Sequence, residues 1–153
     1  MKQLLFTAQI FYFLVLVSCT PVVNLEEEEA SVRLTLNGYI ESWAEKDISG
    51  FKDIFITDET LTIYEGRHIF KGWEAWKDRL VKSFSSVEKV DVHFSNTIVH
   101  VSPEGNAAWI NTIENATWLD NGEQKQVTDM RVSWGLRKVG EKWKIVQGHW
   151  SVP

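Results

Sequence analysis

Cysteine is nearly absent from this 153-residue chain, which contains only Cys19. A single thiol excludes an intramolecular disulfide, so Cys19 needs an explanation of its own. Basic residues are not in excess either, since 16 lysines and arginines face 21 acidic residues and give a net charge of −5. The four consecutive glutamates Glu26 to Glu29 nearly account for that charge. The rest of the chain is close to neutral and has no basic patch, so we expect no nucleic-acid partner.

Several sequence motifs of catalysis are also missing. The chain has no Gly-x-Ser-x-Gly motif, no P-loop and no Rossmann glycine pattern. Its four histidines show neither the His-x-His nor the His-Glu-x-x-His spacing of metal sites. His93 and His100 are seven residues apart on one predicted strand, which places them on opposite faces. We therefore predict no metal site and no cofactor.

The longest apolar run extends over 14 residues, from Leu4 to Val17, and is too short for a comfortable membrane span. It follows Lys2 and ends at a small residue before Cys19, which is the layout of a secretory signal. Leu16-Val17-Ser18-Cys19 resembles the bacterial lipobox, whose cysteine becomes the lipidated first residue. We predict a signal peptide over residues 1–18, lipidation of Cys19 and a membrane-anchored location in the bacterial envelope. An ordinary signal peptide that ends near a cysteine is the alternative.

The remaining sequence predicts a tether and one domain. Residues 19–30 contain a proline and the glutamate run, and we predict a flexible acidic tether there. In residues 31–153, apolar spacings of three and four indicate a helix over 31–47, and a short second helix and a short hairpin follow. Another helix begins after Gly72, and four runs with a period of two then predict a meander of long antiparallel strands. The fold class is therefore α+β, with helices packed on a curved antiparallel sheet.

The two last turns of the meander predict which side chains share a face. Asn121-Gly122 is a strong hairpin signal that places Asp120 opposite Glu123 and, further along, Glu114 opposite Asp129. A three-residue loop over residues 138–140 then pairs Arg131 with Gln147 and Asp129 with His149. This register brings Glu114, Asp129, Arg131 and His149 onto one concave face.

Such a set offers two interpretations. As a site, His149 is the general base and Asp129 orients it, while Arg131 and Glu114 bind the ligand or stabilise an oxyanion. As a structural network, Arg131 neutralises the two acids and His149 is hydrogen-bonded at the rim. The chain's eight tryptophans are explained either as core and dimer-interface filling or as walls of an aromatic pocket. We predict that Tyr39, Trp43 and Trp109 form pocket walls.

The order of elements and the end of the chain resemble the SnoaL-like branch of the NTF2-like (nuclear transport factor 2) superfamily. In that branch the penultimate strand carries an Arg-x-Thr/Ser motif, which here is residues 131–133. The last strand carries a Trp-Lys-Ile-Val-His-x-His-x-Ser pattern, which here extends from Trp143 to Ser151 and includes Ser151 as a ligand-binding candidate. The entry helix "YIESWAEKD" is also similar. Gln147 replaces the first histidine of that pattern, and a glutamine cannot take a proton at neutral pH.

The resemblance implies a cone-shaped fold with a pocket between the sheet and the first helix, and homodimers through the outer sheet face. It leaves three hypotheses, because fold does not determine function. The domain binds a small organic molecule; it is a cofactor-free isomerase, cyclase or dehydratase with a histidine base; or it is a non-catalytic module that binds other proteins.

Overall fold

The computed structural model of the protein describes residues 23–152, so the predicted signal peptide and Cys19 lie outside the described residues. Within this range, three helices and six strands form a single α+β unit, and this fold class is the predicted one. Within residues 23–152, no helix combines the length and the apolar character that crossing a membrane requires. The elements are α1 (Leu25–Glu45), α2 (Ile48–Ile54), β1 (Thr62–Glu65), β2 (His68–Lys71), α3 (Trp73–Phe84), β3 (Val87–Val101), β4 (Ala107–Asp120), β5 (Glu123–Val139) and β6 (Lys142–Ser151).

The six strands form one sheet in the order β2-β1-β6-β5-β4-β3. The last four strands are the predicted antiparallel meander. The short hairpin of β1 and β2 adds to its edge through a parallel pairing of β1 with β6. The sheet is therefore mixed, whereas the sequence predicted an antiparallel sheet.

Helix α1 begins six residues earlier than the predicted domain. Asn24 caps it, because the Asn24 side chain accepts a hydrogen bond from the Glu27 amide. The Glu28 carboxylate forms an ion pair with Lys138 and accepts a 2.9 Å hydrogen bond from the Trp143 indole, so the first turn is attached to the β5–β6 hairpin. The prediction of a flexible tether is thus wrong for residues 25–30, which belong to the folded domain.

The sheet curves because its long strands contain bulges. Lys89, Asn96 and Asp129 have φ angles of 51°, 52° and 56° inside strands, and the pairing register shifts beside each of them. The Asp129 amide donates to the Asn115 side chain at 3.1 Å. A bulge inserts an unpaired residue, bends its strand and increases the local twist. These bulges curl the sheet, and α1 packs on the inner side.

An aromatic core fills the space between α1 and the inner sheet face. Tyr39 of α1 lies at its centre, with ring centroids of Phe51, Phe94, Trp134 and Trp150 between 5.1 and 6.2 Å away. Tyr39 and Trp134 are buried, as are Val32 and Ile110. The predicted helical stripe of α1 therefore faces the sheet.

Candidate functional site

The β4–β5 hairpin confirms the predicted turn but not the predicted pairing beyond it. Asp120 lies opposite Glu123, as expected for the Asn121-Gly122 turn. The bulge at Asp129 then shifts the register by one residue, so Glu114 pairs with Met130 and not with Asp129. A shift of one residue exchanges the two faces of a strand. Glu114 thus keeps its predicted place on the inner face, where it is 4% exposed, whereas Asp129 and Arg131 of β5 lie on the outer face.

The β5–β6 hairpin differs from the prediction at its turn. The loop has two residues, Gly140 and Glu141, because Val139 pairs with Lys142 and Gly140 adopts a φ of 60°. A further register shift occurs where β5 passes from Gly135 to Leu136. As a result Arg131 lies opposite Ser151, and the predicted pairs of Arg131 with Gln147 and of Asp129 with His149 are wrong.

Five predicted site residues lie away from the inner face. Arg131 and His149 share a face, but both are exposed on the outer side of the sheet. The His149 ring lies edge-on to Tyr64 at 6.2 Å. Asp129 is also exposed, while Ser151, opposite Arg131, is half-buried. The predicted constellation of Glu114, Asp129, Arg131 and His149 is therefore not formed.

Trp109 is the fifth of these residues, and it is not a pocket wall. Its side chain is 48% exposed and lies against His100 on the outer face, with 5.4 Å between ring centroids. Ile98 on the neighbouring strand is 55% exposed. This is the face that the predicted homodimer would use, and the dimer stays a prediction.

The inner face contains a cavity of about 390 Å³ between the sheet, α1 and α3. That volume lies within the range of small-molecule sites. Three of the predicted site residues, Tyr39, Trp43 and Glu114, line it together. Much of the remaining wall is apolar and comes from Val87, Val90, Val92, Ala116, Val127 and Met130.

Glu114 is the buried acid of this cavity. Its Oε2 accepts a 3.0 Å hydrogen bond from the Trp150 indole, which β6 projects to the same face. Burial raises the pKa of Glu114 from 4.5 to about 7; the Trp150 hydrogen bond opposes that shift, and the nearby charge of Glu65 adds to it. Glu114 thus changes its charge near neutral pH.

An ion pair lies on the cavity wall between β1 and α3. The Arg79 guanidinium binds both oxygens of Glu65, at 2.8 and 2.9 Å, and also donates to the Ser83 hydroxyl. Such a two-pronged pair fixes the orientation of both side chains. Three of the five N–H donors of Arg79 are occupied and its charge is paired with Glu65, so this arginine is a positioning element more than a free anion site.

The Tyr39 hydroxyl is a further titratable group of the cavity wall. Burial raises the pKa of Tyr39 well above its ordinary value, and the charge of Glu114 acts in the same direction. Tyr39 therefore stays protonated at neutral pH and keeps a donor. Across residues 23–152, no group of three or more histidine, cysteine or acidic side chains is arranged to hold a metal ion. The described wall residues offer hydrogen bonding and, at Glu114, proton transfer.

Seven polar or aromatic wall residues were not among the predicted site residues: Glu65, Arg79, Ser83, Ser86, Trp118, Asp120 and Trp150. Trp150 was given no role, because the predicted register put it on the outer face, whereas it lies on the inner face. Its neighbour His149 has the more familiar catalytic side chain and was assigned to the cavity face, but it lies on the outer face. The sequence contained one weak indication that Arg79 lines the cavity: it directly precedes Leu80 and therefore lies beside the buried apolar stripe of α3.

Several solved protein structures share this fold. A protein of the nuclear transport factor 2 (NTF2-like) superfamily from Salmonella enterica serovar Typhimurium LT2 superposes with a TM-score of 0.76 at 22% identity, over 84% of this chain and 92% of that one. A candidate scytalone dehydratase from Novosphingobium aromaticivorans gives a TM-score of 0.76 at 14% identity, with 84% and 85% covered. An NTF2-like protein of unknown function from Pseudomonas putida KT2440 gives 0.68 at 18%, with 84% and 88% covered.

At these identities the structural likeness shows the fold alone. A search of curated proteins found no match. The SnoaL-like domain family, in contrast, matches residues 32–153, which is most of the chain and includes α1 from its second turn to the end of β6. The resemblance read from the last two strands is thereby confirmed, and the chain belongs to the SnoaL-like domain family.

Proposed function

We propose that the domain binds a small organic ligand in the inner cavity, with Glu114 as its polar anchor. The observation that carries this proposal is a nearly buried carboxylate that faces an otherwise mostly apolar space of about 390 Å³. Leaving such a group in a cavity is costly unless it gains a partner. The Trp150 indole is already a partner of Oε2, and a ligand that hydrogen-bonds to Glu114 and covers the aromatic wall would supply a second one.

A thermal-shift screen against a metabolite library tests this proposal. We expect a subset of compounds to raise the melting temperature of the native protein, because a ligand that binds only the folded state stabilises it. Glu114→Gln should weaken most of these shifts. His149→Ala should retain them, since His149 lies on the outer face. A library without any stabilising compound, or hits that depend on His149 and not on Glu114, would contradict the proposal.

A catalytic role is the second candidate, and the pKa of Glu114 favours it. A carboxyl that titrates at about 7 can both take and return a proton near neutral pH. The likeness to a candidate scytalone dehydratase is compatible with that chemistry. In this variant of the cofactor-free isomerase, cyclase or dehydratase hypothesis, Glu114 replaces His149 as the base. Conversion of a screening hit, followed by mass spectrometry and abolished in Glu114→Gln, distinguishes an enzyme from a binding protein.

We also propose that the protein is an exported lipoprotein of the bacterial envelope, anchored through Cys19. The support is the lipobox-like sequence at the end of a signal-like segment. In a bacterial host, Cys19→Ser should abolish incorporation of labelled fatty acid and move the protein from the membrane fraction to the soluble fraction. Thr20→Ser is the matched control and should stay lipidated. A Cys19→Ser protein that remains in the membrane fraction would refute the anchor.

A further inference from the structure

We propose that the cavity selects a ligand that carries a protonated amine on an apolar body. This inference rests on the proposed function, because it specifies the chemistry of the molecule that the cavity binds. It follows from the charges and the aromatic rings of the cavity wall, and each of these is an independent observation.

The charges of the wall disfavour an anion. Among the described residues that line the cavity, three are carboxylates, Glu65, Glu114 and Asp120, and one is a cation, Arg79. Arg79 is already bound to both oxygens of Glu65 and to the Ser83 hydroxyl. A carboxylate or phosphate ligand would therefore meet net negative charge without a free cation to bind it. An ammonium group, in contrast, would be attracted by the net negative charge of the wall.

The hydrogen bonding and burial of Glu114 indicate where the amine would bind. Trp150 occupies one oxygen of the carboxylate, Oε2, through the indole N–H. The side chain is almost fully buried and faces the cavity. An ammonium group placed there can donate a charge-assisted hydrogen bond to the carboxylate, which is stronger than a bond from a neutral donor.

The aromatic rings of the cavity wall also favour a cation. Tyr39, Trp43, Trp118 and Trp150 all line the cavity, and tryptophan is the best ring for a cation–π contact. Recognition of ammonium groups by aromatic walls together with a carboxylate is a general physical solution. The valines and Met130 of the remaining wall provide an apolar surface for the body of the ligand.

The amine also changes the protonation of Glu114. Burial keeps the pKa of this carboxyl at about 7, while Glu65, Asp120, Arg79 and Tyr39 are the other titratable groups that line the cavity. A bound ammonium favours the ionised carboxylate. Amine affinity should therefore decrease as the pH falls through 7, by about tenfold between pH 8 and pH 6 for a group with that pKa.

Three probes of similar size test the inference: 2-phenylethylamine, 2-phenylethanol and phenylacetate. We measure their dissociation constants by isothermal titration calorimetry with the folded protein, in non-amine buffers of constant ionic strength. At pH 8 the amine should bind at least tenfold more tightly than the alcohol, and phenylacetate should bind most weakly. Between pH 8 and pH 6 the amine alone should lose affinity. Glu114→Gln should remove both the preference and the pH dependence.

Glu104→Gln is the matched control, because it removes the same charge from an exposed turn outside the cavity wall. It should leave the order of the three probes unchanged. Equal binding of amine and alcohol, or an amine preference that survives in Glu114→Gln, would overturn the inference while leaving a ligand-binding cavity intact. If none of the three probes binds, the inference is also overturned, and a metabolite screen without hits would then remove the proposed function as well.

Discussion

Replacing Gly148 with alanine should destabilise the protein by about 2–3 kcal/mol, in the upper part of the range of about 1–3 kcal/mol for forcing an extra carbon into a packed core. A Cβ on Gly148 would lie 2.3 and 2.6 Å from two ring carbons of Trp150 and 3.0 Å from the Ile63 side chain. The Trp150 ring cannot easily move, because it stacks on Tyr39 and on Trp76 with interplanar angles of 24°. The same displacement would break the indole hydrogen bond to Glu114.

Urea unfolding of Gly148→Ala measures this effect, and Gly135→Ala is its control. Gly135 lies on the neighbouring strand, where an added Cβ would meet only ordinary contacts with Gln147 at 3.7 Å or more. That variant should change the free energy of unfolding by less than about 0.5 kcal/mol. In the double variant Gly148→Ala/Trp150→Leu the two effects should be non-additive, because the smaller side chain leaves room for the methyl group. Additive effects would show that the Cβ and the ring do not meet.

Replacing Glu114 with glutamine should stabilise the protein at alkaline pH. The pKa of Glu114 is about 7 in the folded protein and 4.5 ordinarily, so between these values the folded state holds a proton that the unfolded state has released. Stability therefore falls as the pH rises through this window, and the full loss is about 3 kcal/mol. Glutamine has no such titration and still offers an oxygen to the Trp150 indole. The variant should gain up to about 3 kcal/mol over the native protein at pH 8.

Denaturant unfolding from pH 4.5 to pH 8 tests this prediction through the difference between the two proteins. The difference should be small at pH 4.5, where Glu114 is largely protonated in the folded state, and should grow until about pH 8. Glu104→Gln, at an exposed position, should not reproduce this curve. A Glu114→Gln protein that is less stable than the native protein at every pH would contradict a buried, mostly protonated carboxyl.

The sequence predicted the elements better than the site. The spacing of apolar residues predicted the helices and the meander, because burying one face requires a regular period. The glycine of the Asn121-Gly122 turn also allowed a correct local pairing of Asp120 with Glu123. The hairpin β1–β2 was predicted as well, whereas its parallel pairing to β6 is a long-range choice without a local sequence signal.

The site depended on counting residues through bulges, which the sequence did not reveal. The single bulge at Asp129 shifted β5 by one position, which left Glu114 of β4 on the predicted inner face and moved Asp129 and Arg131 to the outer face. In the next hairpin, Arg131 lies four positions from its predicted partner, opposite Ser151 in place of Gln147. An even displacement preserves the face, so Arg131 and His149 stayed together. Register errors of the same kind thus separated Glu114 from Arg131 but left Arg131 and His149 on one face.

The early start of α1 determines how far the domain could stand from a bilayer. Helix α1 begins at Leu25, and its first turn is attached to the β5–β6 hairpin through Glu28. In a protein lipidated at Cys19, five residues separate the acyl chains from the helix, and even fully stretched they span only about 17 Å. The hairpin end of the sheet would then be held within reach of the lipid headgroups, and access to the cavity would depend on the orientation of the domain on that surface.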